Sequence, residues 1–292
     1  MPRRESRYNA VIGAMPTLAV GMSHTRQNVS DHGPAWTCHP DDIPTRMSDR
    51  HDIDFVLQEW PYQPGTISAR IVPAEDGRDV LQMRVEMGVL QMEIAGRPDG
   101  LRPHGFATFL EWIVARSVEE GDEFTFTEEQ CIEIDREFLQ FYHRRICFLA
   151  LREFARAVAD ADHTLALMEF VATHSADPQW TASHEQYRAF VLFHRIQAAT
   201  MVQLQDKGAE AAIEEINQGL IQLRAAFAAM EAEEQFDEDE MAKHLNELKE
   251  SLREEYHVGQ TLAEQLAEAV ASEEYERAAR LRDEIAKRQG PH

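Results

Sequence analysis

The apolar residues of this chain change their spacing once, and that change divides the fold. Between residues 67 and 94 they recur at every second position. Ile67, Ala69 and Ile71 alternate with polar neighbours, then Leu81, Met83, Val85 and Met87, then Leu90, Met92 and Ile94. A period of two gives a strand one apolar face, so these runs predict a short antiparallel sheet. The phase slips at Gly88, which predicts a tight turn or a bulge. From Phe106 the spacing becomes three and four: Phe106, Phe109, Leu110 and Ile113 share one helical stripe. That helix is expected to cover the sheet.

From Glu128 the chain reads as helical to its end. Thr127 with Gln130 has the spacing of a capping box, in which a hydroxyl and an amide satisfy each other's orphan backbone N–H groups. Ser183 with Gln186, Asp237 with Glu240 and Thr261 with Glu264 repeat it. Asp177-Pro178 reads as a loop, and Gly259 as a helix end. Helices are predicted near 128–150, 153–173, 183–205, 208–232, 238–257, 261–271 and 273–289. The expected organisation is a disordered extension over 1–46, a small α+β domain over 47–126, a helical domain over 127–258 and a hairpin over 259–292.

Arg3, Arg4 and Arg7 ahead of the stretch from Ala10 to Met22 loosely imitate a leader, but Gly13, Pro16 and Gly21 interrupt it. Residues before Met47 show no periodicity, so Met47 is read as the start of the ordered chain.

The middle helices resemble tetratricopeptide (TPR) hairpins. Phe141 and Phe148 lie one heptad apart; Phe154, Ala157, Val158, Ala161 and Leu165 follow, with a weaker echo at Ala209, Ala212, Ile213, Ile216 and Leu220. Phe154 and Ala209 are too far apart for a regular repeat. Arg145 and Thr164 stand where that family favours small residues.

The last helices carry a sharper string. Leu262 and Leu266 lead into an acidic turn, then Tyr275-x-x-Ala278-Ala279-x-Leu281-Arg282-Asp283-x-Ile285. This resembles the UvrB/UvrC (UVR) motif, a helical hairpin. The resemblance implies protein–protein contact through Leu262, Leu266, Tyr275, Ala278, Ala279, Leu281, Arg282 and Ile285. In the resembled family the module joins repair-nuclease subunits, and it also occurs in a protease-associated chaperone and a kinase activator. Two short helices bury little surface alone, so the hairpin is expected to dock on a partner protein or on a second copy. The fold expected is therefore a small α+β unit, then a mostly α, TPR-like array, then a UVR-type hairpin.

The chain carries a formal charge of −23. Such a field repels phosphate backbones and anionic lipid, which argues against direct nucleic-acid or membrane contact. Three separated cysteines without a C-x-x-C pair suit a reducing cytoplasm and exclude a zinc ribbon. No phosphate-binding G-x-x-x-x-G-K-[ST] loop is present. No cofactor and no metal site are expected. His143 and Cys147 form at most half a metal site, and Glu254-x-x-His257 is a single such motif. Asp160, Asp162 and His163 read as a solvated polar face.

The favoured function is a cytoplasmic adaptor without catalytic activity, linked to DNA repair or regulated proteolysis. Two alternatives stand beside it. One is an enzyme or sensor holding a small anion at the loop Gly96–Gly105, where Arg97, Arg102 and His104 would join backbone N–H groups at the next helix start. The other is a structural homodimer.

Overall fold

The structure is a computed structural model, described here over residues 52–289. The N-terminal extension, its leader-like stretch and Met47 lie outside the described residues. A short helix, α1 (Asp54–Glu59), leads into strands β1 (Ser68–Pro73), β2 (Asp79–Val85) and β3 (Gly88–Glu93). They form an antiparallel meander in the order β1-β2-β3. Helices follow: α2 (Phe109–Glu120), α3 (Glu128–Ala150), α4 (Phe154–His174), α5 (Pro178–Glu185), α6 (Arg188–Asp206), α7 (Ala209–Ala229), α8 (Glu240–Tyr256), α9 (Leu262–Ala271) and α10 (Tyr275–Gln289). No helix among the described residues is long and apolar enough to cross a membrane.

The alternation in the strands sorts as the period requires. Ile71, Leu81 and Met92 stand in register across the three strands and form an apolar row. On the opposite face Arg70 Nε donates to Gln82 Oε1 at 2.9 Å, and Gln82 Nε2 donates to Gln91 Oε1 at 2.9 Å. The slip at Gly88 is a hairpin turn, with Val85 paired to Gly88.

The element that covers the sheet is not the one the apolar spacing suggests. Leu81 and Met92 pack against Ile146, Cys147, Phe148 and Leu149 of α3, with Ala157 of α4 and Ala198 of α6. Phe109, Leu110 and Ile113 of α2 instead join Phe124, Ile134, Leu167, Phe170 and Val171. Phe106 precedes α2 in extended backbone and is exposed. A stripe at helical spacing says that a helix is amphipathic but not which neighbour receives it.

Helices α3, α4, α6, α7 and α8 pack successively, each on the next. Small side chains permit the close approach: Ala157 and Ala161 of α4 and Ala212 of α7 are fully buried. At Gly219 of α7 an added Cβ would lie 2.6 Å from the Ile196 side chain of α6, so only glycine fits there. Two expected caps move. Ser183 lies inside α5, whose cap is Asp177, bonded to the Gln179 and Trp180 amides with Pro178 in the first turn. Asp239, not Asp237, caps α8. Asp237 pairs with Arg224 instead. The boxes at Thr127/Gln130 and Thr261/Glu264 are complete.

Arg145 and Thr164 form a polar clamp at the α3–α4–α6 junction. The Arg145 Nη1 donates to Thr164 Oγ1 at 2.9 Å, and its Nε donates to His194 Nδ1 at 3.3 Å. All three are buried. Burial lowers the Arg145 guanidinium to about 10. Burial, then the Arg145 charge, holds His194 well below the ordinary imidazole value of 6.5. The unfolded chain therefore binds a proton below about pH 6.5 that the folded chain refuses, and His194 contributes stability that is lost as pH falls from there. His194→Asn keeps an acceptor for Arg145 without the titration. Its melting temperature is expected to fall less than that of the parent protein between pH 7.5 and 5.5. Equal slopes in thermal melts would refute this.

Candidate protein-interaction site

The UVR-like hairpin is built from α9 and α10. Thr261 Oγ1 accepts the Glu264 amide at 3.2 Å, and Glu264 Oε2 accepts the Thr261 amide at 2.8 Å. Helix α9 ends with Glu273 in the left-handed region, at φ 59°, and the Glu274 amide returns to the Ala269 carbonyl at 2.8 Å. This bond pattern closes a helix end and reverses the chain.

The expected interaction residues separate into two directions. Leu262, Leu266 and Ala269 of α9 meet Ala278 and Leu281 of α10 in a seam inside the hairpin. Ala278 and Leu281 are therefore already buried within the hairpin itself. With 100° per residue, Tyr275, Ala279 and Arg282 fall about a quarter-turn from that seam. All three are exposed, Tyr275 at 68%. Arg282 pairs along its own helix, with Asp283 at 3.0 Å. Ile285 is half-buried and, by the same geometry, falls on the seam side between Ala278 and Leu281. Val270 of α9 is 54% exposed and, by the same helical geometry, turns to the same side as Tyr275. The quoted motif did not single it out, although its offset from Leu262, Leu266 and Ala269 places it beside the seam.

A polar joint ties the hairpin to the array. The Glu264 carboxylate accepts from Arg253 of α8, from Asn217 Nδ2 of α7 at 3.0 Å and from its own cap. Thr261 Oγ1 donates to Glu214 of α7 at 3.2 Å. Partial burial works against the Glu264 charge, but the Arg253, Thr261 and Asn217 hydrogen bonds outweigh it and hold the carboxyl below its ordinary value.

In the loop Gly96–Gly105 most of the expected anion-binding groups have partners within the protein. Arg97 is buried, with its Nη2 at 2.7 Å from Glu133 and its Nε at 3.4 Å from Asp99 and 3.5 Å from Glu137. The first amides of α2 are engaged as well: Phe109 N donates to Glu137 Oε2 at 2.7 Å and Leu110 N to Oε1 at 3.0 Å. His104 stacks on Trp112 with centroids 3.9 Å apart, and Arg102 is exposed. The Arg97 guanidinium and the helix-start amides thus face carboxyl groups of the protein itself. Arg97 and Arg102 line one cavity of about 590 Å³ together with Asp76, Arg78 and Glu93, whereas His104 is not part of that lining.

Asp160 is not on a solvated face either. It is buried against Arg144, with hydrogen bonds of 2.9 and 2.7 Å. Burial raises its carboxyl, partly opposed by Arg144. His163 Nε2 lies 2.9 Å from Glu137 Oε1, and Asp162 pairs with Arg195 at the surface. Cys147 sits in the sheet-facing core, where burial pushes its thiol up to about 12. His257 is the left-handed cap of α8.

These features define a mostly helical protein that carries a short helical hairpin on a polar joint, with one side of the hairpin uncovered. The comparison with protein families identifies the hairpin: residues 260–289 match the UvrB/uvrC motif, UVR, over about a tenth of the chain. No curated protein and no solved structure matches the chain.

Two outcomes follow. Ala278→Glu forces a charge into the alanine-lined seam, at a cost of several kcal/mol. It is expected to unfold α9 and α10 while leaving the main melting transition in place. Circular dichroism and hydrogen exchange would check this; protection retained across 262–285 would contradict it. Glu137→Ala removes the acceptor for two amides, strands His163 and takes one of three carboxylates from Arg97. A loss of about 3–5 kcal/mol in urea unfolding is expected, against under 1 kcal/mol if the group were merely incidental.

Proposed function

We propose that this protein is a non-catalytic adaptor that recognises a partner protein through the outward side of its UVR hairpin. The observation that carries this reading is the division of the motif's residues. The seam residues hold the two helices together, which leaves Tyr275, Ala279, Arg282 and Val270 uncovered on one side. Aromatic and arginine side chains are the types that most often anchor protein interfaces. Small Ala279 beside them lets a partner backbone or helix approach closely.

The packed pairs α3–α4 and α6–α7, read as a TPR-like array, serve as the rigid support. The polar joint at Glu264 fixes the hairpin's direction on that support. The setting is DNA repair or regulated proteolysis, as the motif's known contexts suggest, with the protein acting in the cytoplasm. The formal charge of −23 favours protein contact over a nucleic acid.

The test pairs Tyr275→Ala with Val270→Ala in the full chain. Both side chains are exposed, so folding and melting should be unchanged. Loss of an aromatic anchor weakens an interface by about 2 kcal/mol or more, roughly thirtyfold. A specific protein retained from native extract by the parent chain and lost by the double variant is the expected result. Retention of the same proteins by both would sink the reading. Sedimentation of the purified protein separates a foreign partner from a second copy, because a self-association lost in the variant identifies a homodimer.

A further inference from the structure

We infer that the groove between α7 and the turn leading into α8 is a second docking surface, one that takes an amphipathic helix flanked by Lys or Arg. The groove measures about 550 Å³, and its apolar lining comes from Leu220, Ile221, Ala225, Ala228 and Phe236. Phe236 belongs to a 3-10 turn, Glu233–Glu238, that crosses the end of α7 and packs against Phe227. Ile221 is 63% exposed beside the groove, and Ala225 and Ala228 are exposed along it. Small residues on a helix edge, next to one exposed branched side chain, leave a channel deep enough for a partner's side chains.

Charge decides which partner fits. Glu233 and Asp237 line the groove, and Glu231, Glu234 and Glu238 are exposed in the same short segment that carries Phe236. The cations there are already bound inside the protein. Arg224 lies over the Phe236 ring at 4.3 Å and pairs with Asp237, and Lys243 pairs with Glu238 and Glu240. The rim therefore presents a negative field around an apolar floor. A segment with apolar residues on one face and cations beside them complements both parts. An acidic or uniformly polar segment does not.

Length sets the spacing. Leu220 to Ala228 spans eight residues of helix, about 12 Å at 1.5 Å per residue. An antiparallel or parallel helix lying there presents two turns, so its contacts fall at i, i+3 or i+4, and i+7. This surface is separate from Tyr275 and Val270 and does not depend on the reading of the hairpin.

The experiment uses the full chain and two labelled synthetic peptides in fluorescence anisotropy. One places Leu on a single helical face with Lys elsewhere. The other has the same composition, scrambled so that the Leu residues share no face. The first is expected to bind at least tenfold more tightly. Ile221→Asp is expected to weaken it about tenfold, although that substitution adds a negative charge; Tyr275→Ala is expected to leave it unchanged. Ala228→Arg serves as a second variant, checked with the first by circular dichroism, and is expected to weaken binding by a similar factor. Equal binding of the two peptides would show charge attraction alone and overturn the inference. So would binding to Ile221→Asp that is as tight as to the parent chain, or loss of binding only in Tyr275→Ala.

Discussion

A fully buried carboxyl group cannot stand without partners, and Glu137 gathers its partners from three segments. The helix start at Phe109 and Leu110 donates two amides, His163 of α4 approaches from one side, and Arg97 arrives from the loop before α2. A helix N-terminus has unsatisfied donors and a partial positive charge. Here the acceptor comes from a different helix rather than from a local cap alone. One side chain therefore fixes α2, the Gly-rich loop and α4 relative to α3. Arg144 repeats the pattern about two turns further along, where it holds Asp160 and the carbonyls of Glu93 and Gly96. The sheet's C-terminal edge is thereby attached to the same helix that fills its apolar face.

This arrangement explains which features could be read from the sequence. Strands, helix spans and two capping boxes follow from local chemistry, so Leu81, Met92, Thr127 and Thr261 announce themselves. The UVR string is likewise local. What could not be read is tertiary choice. Glu137, Arg97 and Asp160 are charged residues that a sequence places outside by default, yet their partners lie 16 to 40 positions away and bring them inside. The same holds for α2, whose stripe fits either the sheet or α4. At the hairpin, adjacent alanines look interchangeable. Only the helix geometry separates Ala278, in the seam, from Ala279, on the surface.

The surface chemistry is uneven in a way that matters for binding. The hairpin's uncovered side is small and lightly charged, with a tyrosine and an arginine as its largest groups. The α7–α8 end is apolar at its floor and acidic at its rim. Two such faces on one rigid array favour partners of different character. Because the array is held by packed alanines and buried polar clamps, neither face is required to move for the other to be used.

The polar joint at Glu264 has a further consequence. Among the described residues the hairpin's buried apolar side chains are Ala269, Ala278 and Leu281, whereas α6, α7 and α8 share a broad apolar core. Cooperative units with little buried surface open at lower free energy than those with much. Residues 262–289 are therefore expected to exchange their amide hydrogens through a local opening, at lower free energy than the array. A protein that grips the uncovered side of the hairpin closes that opening. Its affinity thus includes the work of ordering two helices, and tightening the seam alone, with no new contact, would raise it.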